Sequence, residues 1–206
     1  MLSLSALGTW AQGPYANTGA QTVCLTGIAE PYGVINTVGS TYAWSVTGGT
    51  ASTDWVLTSN TSNLATVLWK TAGTYTVQVI ETNSSGCALP DPVTVSVTVN
   101  PMPTATISGT TAVCQNATAP VVTFTGAGGT APYTFTYTIN GGANQTVTTT
   151  SGNSVTVTVP TTAAGTFTYA LVSVQDASGT TCSNAQTGSA VVTVNPLPTT
   201  SPIYHN

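Results

Sequence analysis

Valine and threonine alternate along much of this chain. Val93, Val95, Val97 and Val99 are separated by Thr94, Ser96 and Thr98, the period of two that a half-buried strand requires. Val155, Val157 and Val159 repeat the pattern between threonines, as do Tyr75, Val77 and Val79. Residues 42–46 (YAWSV), 65–69 (ATVLW), 104–108 (TATIS) and 133–137 (YTFTY) supply further strands. Between them lie turn signals: Gly48-Gly49, Asn83-Ser84-Ser85-Gly86, Gly128-Gly129 and Asn140-Gly141-Gly142, residues that accept the backbone angles of tight turns. No window has helical periodicity. The pattern predicts an all-β chain.

The pattern also occurs twice. Asn100-Pro101-Met102-Pro103-Thr104 returns as Asn195-Pro196-Leu197-Pro198-Thr199, and Gly73-Thr74-Tyr75-Thr76 returns as Gly165-Thr166-Phe167-Thr168. Cys24 maps onto Cys114 and Cys87 onto Cys182. Landmarks in one order at one spacing mark a duplicated module. About seven strands per copy, in roughly 90 residues, predict two tandem immunoglobulin-like β-sandwiches. The predicted domains are residues 21–100 and 105–198, joined by a linker at 101–104 whose alternating prolines hold it extended. An N-terminal segment (1–20) and a tail (199–206) flank them.

Charge changes the picture by what it removes. Only 3% of residues are Asp, Glu, Lys or Arg, against about 25% in an ordinary globular protein. Lys70 is the single cation, and the acids are Glu30, Asp54, Glu81, Asp91 and Asp176. One lysine cannot neutralise a run of phosphates, so nucleic acid is excluded as a partner. An anionic membrane surface fails for the same reason, and no apolar run reaches the length of a membrane-spanning helix. A Thr-, Ser- and Asn-rich surface with little repulsion tolerates close contact between copies.

Four cysteines, with no pair spaced as zinc ligands are, point to disulfides and an oxidising compartment. The module plan predicts Cys24–Cys87 and Cys114–Cys182. Each bridge would close a loop of more than 60 residues and stabilise its domain by about 4 kcal/mol. Residues 1–12, MLSLSALGTWAQ, have the apolar run and small-residue site of a secretory signal but not its basic start. The segment therefore has two readings, a signal or part of the mature protein.

The stretches Thr41–Gly49, Ala65–Trp69, Gly73–Val77 and Glu81–Cys87 resemble the PKD-like repeats of secreted Bacteroidota surface proteins. Residues 111–116 (TAVCQN) and the closing Val191–Thr199 are similar to the Ig-like repeats that accompany them. The resemblance implies a secreted, extracellular or cell-surface location, and a role as spacer or binding module. A chain made only of such modules favours a stand-alone structural subunit over a spacer.

The search for chemistry gives little. His205, the only histidine, stands next to last and has no acid near it in sequence, so no base–carboxylate pair is predicted. The five acids are too scattered to predict a carboxylate pair for glycoside hydrolysis or a calcium site. The expectation is a non-enzymatic protein with no catalytic residue, no metal and no cofactor. Trp44 reads as core. Trp69, beside Lys70 at a strand end, is the candidate exposed aromatic for stacking on a sugar, with a core position as the competing reading. Sequons at Asn60, Asn83, Asn116 and Asn144 arise readily in so Thr-rich a sequence.

An asymmetry between the copies suggests assembly. Residues 104–108 open the second domain as a strand, whereas the aligned residues 14–18 (PYANT) do not read as one. The first domain is thus expected to leave a sheet edge open, with no lysines to guard it. The N-terminal segment, through Leu2, Leu4, Ala6 and Trp10, is the candidate strand donor, and Ile203 and Tyr204 of the tail are candidate contacts. The expected function is an extracellular structural protein whose copies join head to tail by β-strand addition into a filament or surface layer. The alternative is a monomeric adhesin or carbohydrate-binding module whose partners are glycans or other surface proteins.

Overall fold

The computed structural model describes residues 19–58 and 62–205. The chain divides into two compact units between Asn100 and Pro101, and every regular element among the described residues is a β-strand.

The first unit contains β1 (Gln21–Cys24), β2 (Ala29–Gly33), β3 (Thr41–Thr47), β4 (Trp55–Thr58), β5 (Leu64–Trp69), β6 (Gly73–Thr82) and β7 (Val93–Asn100). They form one sheet in the order β1-β7-β6-β3 and a second in the order β2-β5-β4. β1 runs parallel to β7, and the other pairs are antiparallel. The orders β2-β5-β4 and β7-β6-β3 match the BED and GFC strands of an immunoglobulin sandwich, and β1 departs from the ABED sheet by pairing with the last strand. Strict alternation sets the inner faces. Tyr42, Trp44 and Val46 of β3 are buried while the residues between them are exposed, and Ala65, Val67 and Trp69 of β5 do the same from the other sheet. Each large side chain so buried contributes roughly 1.5–3 kcal/mol from apolar area alone.

One corner of this unit is tied by polar groups. Tyr75, near the start of β6, donates from its hydroxyl to the Thr71 carbonyl at 3.1 Å, the tyrosine corner of immunoglobulin sandwiches. The Thr71 hydroxyl donates to Asp54 at 2.9 Å, and the Thr50 N–H donates to the same carboxylate at 2.6 Å. Gly49 belongs to this corner because a Cβ there would come within 2.7 Å of Asp54 Oδ2, and its φ of 66° is left-handed.

The second unit contains β8 (Thr104–Ser108), β9 (Thr111–Cys114), β10 (Val121–Ala127), β11 (Thr134–Ile139), β12 (Gln145–Thr148), β13 (Ser154–Thr158), β14 (Gly165–Gln175), β15 (Ser183–Ala185) and β16 (Ser189–Asn195). Its sheets run β13-β10-β8 and β12-β11-β14-β16-β9, with β15 paired to β14. Again the strand beside the last one is parallel, β9 on β16. Phe124, Phe135, Val122, Val159, Val174 and Val192 are completely buried in its core. β8 coincides with the strand expected at residues 104–108.

Neither predicted disulfide forms, because Cys87 and Cys114 are exposed free thiols. Cys24 and Cys182 are disulfide-bonded. The sheet registers explain why Cys24–Cys87 and Cys114–Cys182 fail. Cys24 pairs with Asn100, one residue beyond the Gly73↔Val99 pair at the start of β6. Cys87 lies past the other end of that strand, where the Asn83 N–H donates to its carbonyl at 3.0 Å. β6 is 10 residues long, so the two cysteines are on the order of 30 Å apart at 3.3 Å per residue. A disulfide needs Cα atoms closer than about 7 Å. The second unit repeats the geometry. Cys114 pairs with Asn195 at one end of the sheet, and Cys182 follows β14 at the other, its carbonyl accepting from the Asp176 N–H at 3.0 Å.

Candidate functional site

The edge that corresponds to the sequence expectation is that of β2, and residues 14–18, which align with β8, lie outside the described residues. In the second unit the counterpart, β10, is paired on both sides, with β13 and with β8. In the first unit β2 pairs with β5 and, among the described residues, with nothing on its other side. The Val34 N–H donates to the Asn63 carbonyl at 2.9 Å, which continues the register Glu30↔Val67 and Tyr32↔Ala65. Glu30 and Tyr32 therefore direct their backbone groups toward β5, while Ala29, Pro31 and Gly33 direct theirs outward. The free edge offers two N–H groups, from Ala29 and Gly33, and three carbonyls. Pro31 fits here because its missing N–H would have faced away from β5. Ile28 and Ile35, at the two ends of β2, are 65% and 66% exposed, and Val38 is 94% exposed.

Trp69 is not a sugar platform. It is 2% exposed, stacked on Tyr75 with ring centroids 4.8 Å apart, and edge-on to Tyr32 at 6.4 Å. The physical cause is parity: Trp69 lies an even number of residues from Ala65 and Val67 on β5, so it must point inward with them. Trp44 is core, as expected, and its indole N–H donates to the Ser62 carbonyl at 2.8 Å. Burial pushes the Tyr32 hydroxyl up to about 12, with Trp69 opposing and the Glu30 charge adding to the rise. Neither the Tyr32 hydroxyl nor the Trp69 indole N–H has a well-formed hydrogen bond.

Two of the acids hold their own loops. Besides Asp54, Asp176 is buried and accepts from the Thr130 N–H at 3.0 Å and the Ser178 hydroxyl at 2.7 Å. Glu81 is held below the usual carboxylate range by the hydroxyls of Ser40, Thr37 and Tyr42 around it. The Thr50 N–H and then the Thr71 hydroxyl lower Asp54 likewise, whereas burial raises Glu30 on β2. Among the described residues no three His, Cys, Asp or Glu side chains gather as a metal site would need. No helix among them is long and apolar enough to cross a membrane. His205 is exposed, and in the same tail Ile203 and Tyr204 are 99% and 81% exposed. Leu2, Leu4, Ala6 and Trp10 lie outside the described residues.

No protein-family model matches the chain, and no curated protein matches it. Among solved structures it is similar to the fibronectin(III)-like modules of Clostridium thermocellum CbhA, with 11% identity over 93% of this chain and 98% of that one, at a TM-score of 0.38. The Yersinia pseudotuberculosis adhesin InvE shares 16% identity over 84% of this chain and 56% of its own, at a TM-score of 0.31. Bacteroides ovatus SGBP-B, solved in complex with a mixed-linkage heptasaccharide, shares 14% over 93% and 70%, at 0.30. At TM-scores this low the likeness assigns no task, and the fold rests on the sheets themselves.

Proposed function

We propose that this chain is a secreted structural subunit whose copies join by β-strand addition, the β2 edge of one accepting an extended segment of the next. The observation that carries the reading is the contrast, among the described residues, between β2, paired on one side, and its counterpart β10, paired on both. An edge with Ala29 and Gly33 N–H groups facing out, and exposed isoleucines at both ends, is a template for another strand. The segment assigned to it is Leu2–Trp10 of a neighbouring copy, whose alternating Leu2, Leu4 and Ala6 suit a strand with one buried face. The near absence of charge leaves little repulsion to oppose the contact. Disulfide-bonded Cys24 and Cys182 fit the oxidising surroundings of an extracellular protein. Ile203 and Tyr204 in the exposed tail are a second contact for the neighbour.

The test is electron microscopy of the purified full chain beside two variants. Ala29→Pro removes an outward N–H without touching the β5 ladder, and the second variant lacks residues 1–10. Ordered filaments or sheets from the parent, lost in both variants while circular dichroism stays that of a folded β protein, are the expected result. Isolated particles from the parent at every concentration, or polymers surviving in Ala29→Pro with the free thiols of Cys87 and Cys114 alkylated, would overturn it. The alternative, a monomeric adhesin or carbohydrate-binding module, rests on the loops, since Trp69 is core.

A further inference from the structure

The cysteines carry an inference that strand addition does not require. Each unit places one cysteine at each end of its sandwich, and the two units do so at equivalent positions. Cys24 and Cys114 both close a short strand parallel to the last one, opposite Asn100 and Asn195. The next residue, Leu25 or Gln115, donates its N–H to that asparagine's carbonyl in each case, at 2.9 Å and 2.7 Å. This is the end from which the chain leaves each sandwich. Cys87 and Cys182 share the opposite end. Each follows the long central strand, and its carbonyl accepts the N–H of the residue just past that strand's end, Asn83 or Asp176, at 3.0 Å. In the second unit the chain enters at that end, where the Asn184 side-chain amide donates to the Pro103 carbonyl at 2.9 Å.

Of the two exit-end cysteines, Cys24 is disulfide-bonded and Cys114 is free; of the two opposite-end cysteines, Cys182 is disulfide-bonded and Cys87 is free. The free pair therefore comprises one cysteine at the end of the first sandwich opposite its exit, Cys87, and one at the exit end of the second, Cys114. Both thiols are exposed. Apolar surface accompanies each, with Leu89 (42% exposed) two residues past Cys87 and Leu197 (51% exposed) two residues past Asn195. The two units thus share the backbone positions of their cysteines, while Cys182 is 1% exposed and its counterpart Cys87 is exposed.

We infer that Cys114 of one copy forms a disulfide with Cys87 of the next, making a directional covalent chain. The reaction joins two thiols through a small disulfide donor. The Cys114 thiolate attacks oxidised glutathione, giving a mixed disulfide and one glutathione thiol. The Cys87 thiolate of the neighbour then displaces the second glutathione, so one disulfide is consumed and one is made. The join is independent of the β2 edge, and Ala29→Pro leaves it intact.

The experiment incubates the full chain in a glutathione redox buffer, followed by non-reducing electrophoresis and peptic peptide mapping. Trypsin is unsuitable because Lys70 is the only basic cleavage residue. A ladder of dimers, trimers and longer species is expected, collapsing to monomer with dithiothreitol and carrying a Cys114–Cys87 crosslinked peptide. Cys87→Ser and Cys114→Ser, both exposed and harmless to the core, should each lose the ladder. An equimolar mixture of the two should stop at a dimer linked Cys114–Cys87. Monomers bearing only glutathione adducts, or crosslinks found only as Cys87–Cys87 and Cys114–Cys114, would overturn the inference. The ladder in Ala29→Pro separates this outcome from that of strand addition.

Discussion

The two sandwiches are built on one plan, and they differ at two places that matter. In the second, β8 covers β10 and the sheet ends beyond it; in the first, β2 has no such cover among the described residues. At the start of the long central strand the first unit has Tyr75, bonded to Thr71, where the second has Phe167. The first difference alters what a sheet can join, and the second alters how a corner is held. A duplicated fold thus keeps its core and changes its edges, which is where new contacts are made.

The comparison can be broken most severely in the cores. Trp69→Ala should destabilise the first unit by about 3–5 kcal/mol, since a large buried aromatic leaves both area and cavity behind. All four tryptophans precede residue 70, so their fluorescence in a urea titration reports the first unit separately from the second. An unchanged midpoint, with loss of some sugar affinity instead, would contradict the core position of Trp69. A smaller effect should separate the two corners. Tyr75→Phe removes the bond to Thr71 and should cost about 1 kcal/mol, while Phe167→Tyr in the second unit should not return a comparable gain. Equal and opposite shifts in the denaturation midpoints would show that the corner has no special role.

The smallest effect is on pH. Burial raises the Glu30 carboxyl above its ordinary value, so the stability this group contributes is fully present below the unfolded pKa and declines as pH rises through the folded one. Glu30→Gln should match the parent at low pH and become slightly the more stable toward neutrality. A variant that loses stability at neutral pH would mean that the charge is held by a partner instead.

Strand alternation made much of this fold legible. The valine runs of β7 and β13, the aromatic strand β11 and the opening strand β8 are plain in the sequence. β2 is not, because Pro31 reads as a strand breaker until the edge that tolerates it is known. The cysteine spacing suggested bridges within each domain, yet spacing along a chain says nothing about which end of a sheet each residue reaches. The parallel pairing of β1 with β7 decides that, and it sends Cys24 away from Cys87. Trp69 is a different case. Its neighbour Lys70 suggested exposure, whereas its parity with Ala65 and Val67 favoured the core position that the structure gives it. Asp54 and Asp176 carried no signal at all, since a loop-binding carboxylate looks like any other acid until its N–H donors are placed.

The most direct measurement of the central claim is amide hydrogen exchange at Ala29 and Gly33, followed as a function of protein concentration. If copies add strands to β2, protection at these two amides rises with concentration, while those of Thr123 and Thr125 in the fully paired β10 stay protected throughout. Fast exchange at Ala29 and Gly33 at every concentration would contradict the account, as would protection that does not depend on concentration.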